Sequence, residues 1–163
     1  MSENEAQPLE RYTEKEAHKR FAIDLNNLTW TLLGKKERTA EEDEKMVNAA
    51  HASTYHWGEV GTAVNQARGQ WMISHSYAVL NRPQSALHHA QLCLLIVEQN
   101  NFGDFDLAYA YEGMARALAA SEQLEEARRY YALAEEAGQQ IKDKEDRDIF
   151  AGDFEEGPWY GLK

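Results

Sequence analysis

"EGMARALAASEQLEEARRYYALAEEAG", Glu112 to Gly138, falls across two apolar stripes of helical spacing. The first runs Leu107, Tyr111, Met114 and Leu118, and the second Leu124, Ala127, Tyr131 and Ala134. Steps of three and four residues put each set on one face of a helix that turns about every 3.6 residues. The arrangement has an earlier copy. Ile73, Tyr77, Asn81, Ala86, Ala90 and Cys93 map onto Met114, Leu118, Glu122, Ala127, Tyr131 and Ala134, always at an offset of 41 residues (73 to 114, 93 to 134). A constant offset across two helices and their turn means two hairpins of one geometry, with small residues where helices approach closely. Such hairpins bury only part of their apolar surface alone and bury the rest by stacking on neighbours.

This pattern resembles the tetratricopeptide repeat. The better match is Ala115, Leu118, Ala127, Tyr131 and Ala134; Ser74, Tyr77, Ala86, Ala90 and Cys93 follow it more loosely. Ser74, Asn81, Ala115 and Glu122 stand where that family usually has glycines. The period also exceeds the family's roughly 34 residues, with the excess in "NNFGDFD" (Asn100 to Asp106). The resemblance implies an all-α, right-handed stack of about three antiparallel hairpins plus a C-terminal helix.

Reading towards the N-terminus, Thr13 with Glu16 and Thr39 with Glu42 offer capping boxes for two further helices. Phe21, Leu25, Leu28 and Leu32 form the inward stripe of the first, which ends at Gly34. Met46, Ala50, Ser53 and Trp57 form that of the second, with Gly58 and Gly61 expected to break it. A third helix is expected over about Thr62 to Leu80, with Val64, Ala67, Trp71 and Ala78 inward, and a fourth from Pro83, whose missing N–H suits a first helical position. Asp104 reads as an N-cap, and a short helix around Asp146 to Phe154 precedes the aromatic tail "GPWYGLK" (Gly157 to Lys163). No stretch alternates with period two. One domain over 1–163 follows, divided as a hairpin without the motif (13–57), repeat-like hairpins (62–99 and 104–141), and a C-terminal helix with tail (142–163).

Composition narrows the function. A mean hydropathy of −0.70 and a longest apolar run of six residues, Leu92 to Val97, exclude a membrane-spanning helix. "MSENEAQPLERYTEKEAHKR" is charged and has no apolar signal core, so a cytoplasmic setting is expected. Cys93 is the single cysteine, which rules out an internal disulfide. A net charge of −11 without a basic stripe makes nucleic acid a poor partner.

The chemistry-bearing residues are mostly histidines. His51 and His56 are five apart and do not share a helix face. His75 and His89 lie seven residues either side of Arg82 and can come level across a hairpin, so His51, His75 and His89 are the set to examine for a metal. No glycine-rich phosphate loop and no strand–Ser–helix elbow accompanies Ser53, Ser74 or Ser76. Cys93 lies on an apolar stripe, as an inert buried thiol does. No catalytic residue and no cofactor is assigned.

The resemblance points instead to binding. In that family the first helix of each pair lines a concave groove at its second, fifth and ninth positions. Carried over by register, these are Arg68, Trp71 and His75, then Tyr109, Glu112 and Arg116. Aromatics and arginine are the residue types that dominate binding hot spots. The expected function is non-enzymatic binding of a protein or peptide, Arg68 and Arg116 offering charge to a carboxylate. Self-association through exposed helix faces is a further expectation. The tail is itself a potential occupant, over the last hairpin or in a neighbouring groove. The alternative is a small-molecule- or metal-binding, hydrolytic protein using the histidines.

Overall fold

Three threonines and an aspartate set where four of the helices begin. In the computed structural model, which describes residues 9–163, the Thr13 hydroxyl accepts the Glu16 N–H while Glu16 Oε2 accepts that of Thr13, opening α1 (Glu14–Leu33). Thr39 and Glu42 repeat the device for α2 (Ala40–Val60). The Thr62 N–H donates to Asn65 Oδ1 at the start of α3 (Ala63–Val79). The Asp143 carboxylate accepts the Asp146 N–H before α7 (Lys144–Glu155). Between them run α4 (Pro83–Gln99), α5 (Asp104–Ala120) and α6 (Leu124–Gln139). The described residues contain no strand. Pro8, and the part of the charged N-terminal stretch that precedes Leu9, lie outside them.

Helix boundaries recur at the sequence period: 63 and 104, 79 and 120, 83 and 124. So do the turns. After α3, the Arg82 N–H reaches the Tyr77 carbonyl and the Asn81 N–H that of Ala78; after α5, Gln123 reaches Leu118 and Glu122 reaches Ala119. These paired bonds satisfy carbonyls left open at a helix end and need a left-handed residue. Asn81 and Glu122 supply it, at φ 53° and 61°. They occupy two of the positions where the resembled family has glycine.

Helices pack as consecutive neighbours: α1 with α2, α3 with α4, α5 with α6, and α2 and α4 onto the helices that follow. α3 also packs directly on α5, and α7 on both α5 and α6. Ala86, Ala90, Ala108, Ala115, Ala127 and Ala134 are buried at these crossings. Two glycines permit close approaches between neighbouring helices. A Cβ on Gly113 would lie 3.1 Å from the Trp71 ring, and one on Gly138 only 2.2 Å from Phe150 of α7.

Three local expectations need correction. α2 continues through Gly58 to Val60; an interior glycine costs only about 1 kcal/mol, which packing offsets, and Gly61 alone ends the helix. Gly103, not Asp104, holds the cap position of α5. Asp104 instead has φ 56° and its carboxylate accepts the Lys142 N–H at 3.1 Å, tying the start of α5 to the end of the hairpin. Phe21 is 52% exposed, and Ala22, Thr29 and Leu32 form the buried face of α1. Among the described residues, no helix is long and apolar enough to cross a membrane.

Candidate functional site

α1, α3, α5 and α7 all contribute side chains to one cleft of about 440 Å³. Trp71, Met72 and Tyr109 form its floor; Trp30 of α1 and Ile149 of α7 stand at its edges, 41% and 49% exposed. The aromatic groups are ordered against one another. Trp30 stacks on Trp71 at 5.7 Å between centroids, Tyr109 meets Trp71 edge-on at 4.9 Å, and Phe105 lies 4.6 Å from Tyr109. Most of the lining is apolar, and the polar groups are few and placed, as in sites that orient a ligand.

Arg68 and Asp106 pair across α3 and α5, with Nε to Oδ1 at 2.7 Å and Nη2 to Oδ2 at 3.3 Å. The Tyr109 hydroxyl donates to Asp153 Oδ2 at 2.6 Å. Burial, with Glu112 adding to it, pushes the Asp153 carboxyl above the usual carboxylate range, against the hydrogen bond from Tyr109 and the charge of Arg116.

Behind the floor lies a second polar layer. Trp71 Nε1–H donates to Glu112 Oε2 at 2.6 Å, and Arg116 Nε donates to the other oxygen, also at 2.6 Å. Glu112 and Arg116 are each 1% exposed. Arg116 spends its other N–H groups on the carbonyls of Asp153, Glu156 and Pro158, with its guanidinium 4.1 Å from the Trp159 ring centroid. Trp159 is buried, and the Tyr160 hydroxyl donates to the Ala78 carbonyl at the end of α3. The tail therefore runs from α7 back across to α3. It occupies the face that the row on α5 offers.

His75 stacks on Trp71 at 4.8 Å and lines an adjoining cavity of about 410 Å³ with Lys35, Lys36, Arg38 and Glu156. Its Nδ1 is buried without a hydrogen-bond partner among the described residues. Burial first, and then Arg116, hold the imidazole well below its usual pKa.

Of the six groove residues expected from sequence, Arg68, Trp71 and Tyr109 line the main cleft and His75 the adjoining one. Glu112 and Arg116 lie behind it, already paired. Both arginines are thus engaged within the chain, so neither offers an unpaired charge to a carboxylate. Sequence reasoning missed Trp30, Phe105, Ile149 and Asp153. Trp30 carried a signal, a large aromatic off the apolar stripe of its helix; Ile149 and Asp153 sit on a helix too short to show a stripe.

The histidines divide. His51 Nε2 lies 3.0 Å from the Tyr77 hydroxyl, and His89 Nδ1 2.7 Å from Gln70 Oε1, with the His51 and His89 rings 5.2 Å apart. His75 is two residues from Tyr77, about 200° round the helix, so it faces Trp71 and not this pair. The three do not converge, and no group of three or more His, Cys, Asp or Glu among the described residues could hold a metal ion. Burial lowers the pKa of His51 and, with the neighbouring His51 and His88, takes that of His89 down to about 4. The Cys93 thiol is buried and pushed up to about 12, the state of an inert packing group. His56 meets His18 of α1, with the two Nδ1 atoms 2.9 Å apart, and Tyr55 is exposed. Comparison with protein-family models, curated proteins and solved structures finds no match for this chain.

Proposed function

We propose that this protein is a non-enzymatic interaction module, a TPR-like right-handed stack that receives a protein or peptide segment in the cleft between α1 and α7. Direct packing of α3 on α5 and the 41-residue recurrence of helix ends and turns support the stack. One observation carries the binding role: part of the inner face is covered by the chain's own tail, while the part over Trp71 and Tyr109 is left as an aromatic cleft. Exposed Trp30 at its edge is costly to leave in water and is suited to anchor an incoming side chain. A small molecule is the second reading, favoured by a volume within the usual range for such ligands.

A random-peptide display library panned on the protein tests the first reading. Enriched peptides should bind wild type and lose at least about tenfold in affinity to Trp30→Ala, an exposed position whose loss leaves the fold intact. Failure to enrich any peptide, or equal binding to the variant, refutes it.

A further inference from the structure

We infer that the segment received in the cleft, if the binding role above holds, presents an arginine side chain to Asp153 between the rings of Trp30, Trp71 and Tyr109. The charges around the cleft decide the sign. The cleft contains two carboxylates, Asp106 and Asp153, and one guanidinium, Arg68. Arg68 is spent on Asp106 through two hydrogen bonds. Behind the floor, Glu112 is matched by Arg116. Asp153 remains the unneutralised charge. Among the described residues its only side-chain hydrogen bond is from the neutral Tyr109 hydroxyl.

The walls agree with that sign. Indole and phenol faces attract cations within about 6 Å of the ring centroid, Trp most strongly. Arginine fits better than lysine because its planar guanidinium stacks on a ring while forking onto a carboxylate. The chain already sets arginine over a ring three times, with Arg20 5.1 Å from the Tyr12 centroid, Arg68 5.3 Å from that of Phe105 and Arg116 4.1 Å from that of Trp159. Lys35, Lys36 and Arg38 line the adjoining cavity, whose wall Asp153 also joins. Lys35 and Arg38 are paired with Glu42 and Asp43, and among the described residues no cation forms an ion pair with Asp153. A net charge of −11 steers a basic segment toward the protein and repels an acidic one.

The probes are three capped tripeptides, acetyl-Leu-Arg-Leu-amide and its citrulline and glutamate counterparts, titrated at constant ionic strength. The four indole N–H resonances of the protein give the readout. Citrulline keeps the shape of arginine and removes its charge. Saturable shifts at Trp30 and Trp71 with the arginine peptide, with Trp57 and Trp159 unmoved, are expected. Affinity should fall at least about tenfold for the citrulline peptide and for Asp153→Asn, which retains an acceptor for Tyr109. Equal affinity for citrulline, an unaffected Asp153→Asn, tighter binding of glutamate, or no saturation overturns the inference. Display-selected peptides that depend on Trp30 yet lack a basic residue would overturn it while leaving the binding role standing.

Discussion

At positions 41 residues apart, α3 carries Arg68, Trp71 and His75 where α5 carries Tyr109, Glu112 and Arg116. The two rows sit on copies of one hairpin, yet they are used differently. The row on α5 is covered over two of its three members: Arg116 holds three carbonyls of α7 and the tail, and Glu112 neutralises it, while Tyr109 still faces the cleft. The row on α3 borders open space, with Arg68 exposed and Trp71 forming a cleft floor. α7 explains the difference. It starts at Lys144, one residue short of a further repeat step from Asp104, and stands on α5 and α6 as a next helix would. Stacked hairpins need their last apolar face covered, and here the covering helix also closes half of the inner face. Equivalent register therefore predicts where a side chain lies, but not whether it is free.

The sharpest way to break this contrast is to empty its centre. Arg116→Ala leaves the Glu112 carboxylate buried and unpaired, so urea denaturation should show a loss of about 3–5 kcal/mol. The change at the equivalent position on α3, His75→Leu, removes a buried nitrogen that has no partner among the described residues and should stay within about 1 kcal/mol of wild type. Similar losses from both variants would mean that the two rows do the same structural work.

Acid should separate the copies next. His75, His88 and His89 all belong to the first hairpin; at the equivalent positions the second has Arg116, Arg129 and Tyr130. His75 and His89 are held below the ordinary imidazole pKa by burial, so the unfolded chain binds more protons than the folded one below about pH 6.5. Stability is therefore lost as pH falls from about 6.5 towards the His89 value of about 4. The urea midpoint should drop across that window, and His89→Gln should flatten the drop. A midpoint independent of pH above 5 would contradict the burial of these rings.

The smallest effect concerns the matched turns. Glu122 bears a left-handed φ of 61° with a full side chain, whereas Asn81 at 53° is a residue type that tolerates it. Glu122→Gly should raise stability by up to about 1 kcal/mol, and Asn81→Gly should change it less. Thermal melts of the two variants give the comparison directly.

The repeat was legible because packing needs small residues at fixed steps, and Ala86, Ala90, Ala127 and Ala134 declare them. Helix starts at Thr13, Thr39 and Pro83 were legible because caps are local chemistry. The role of Asp104 was not, since its partner is Lys142, 38 residues away. Phe21 misled for a related reason: α1 packs mainly on α2, so its stripe is narrow and Ala22 and Thr29 suffice to fill it. Sequence register brought Trp71, Glu112 and Arg116 to one face. It could not show that Arg116 is consumed by backbone carbonyls, because any sequence supplies those. Nor could it join Trp30 and Asp153, which belong to helices at opposite ends of the chain.

The grip of Arg116 on the tail bears finally on assembly. α7 stands where a hairpin of another copy would have to dock for molecules to line up end to end, the heterologous contact that yields open filaments. A segment tethered to its own docking face competes there at an effective concentration of millimolar order. One guanidinium closed over three carbonyls thus holds the chain's own segment over the last hairpin.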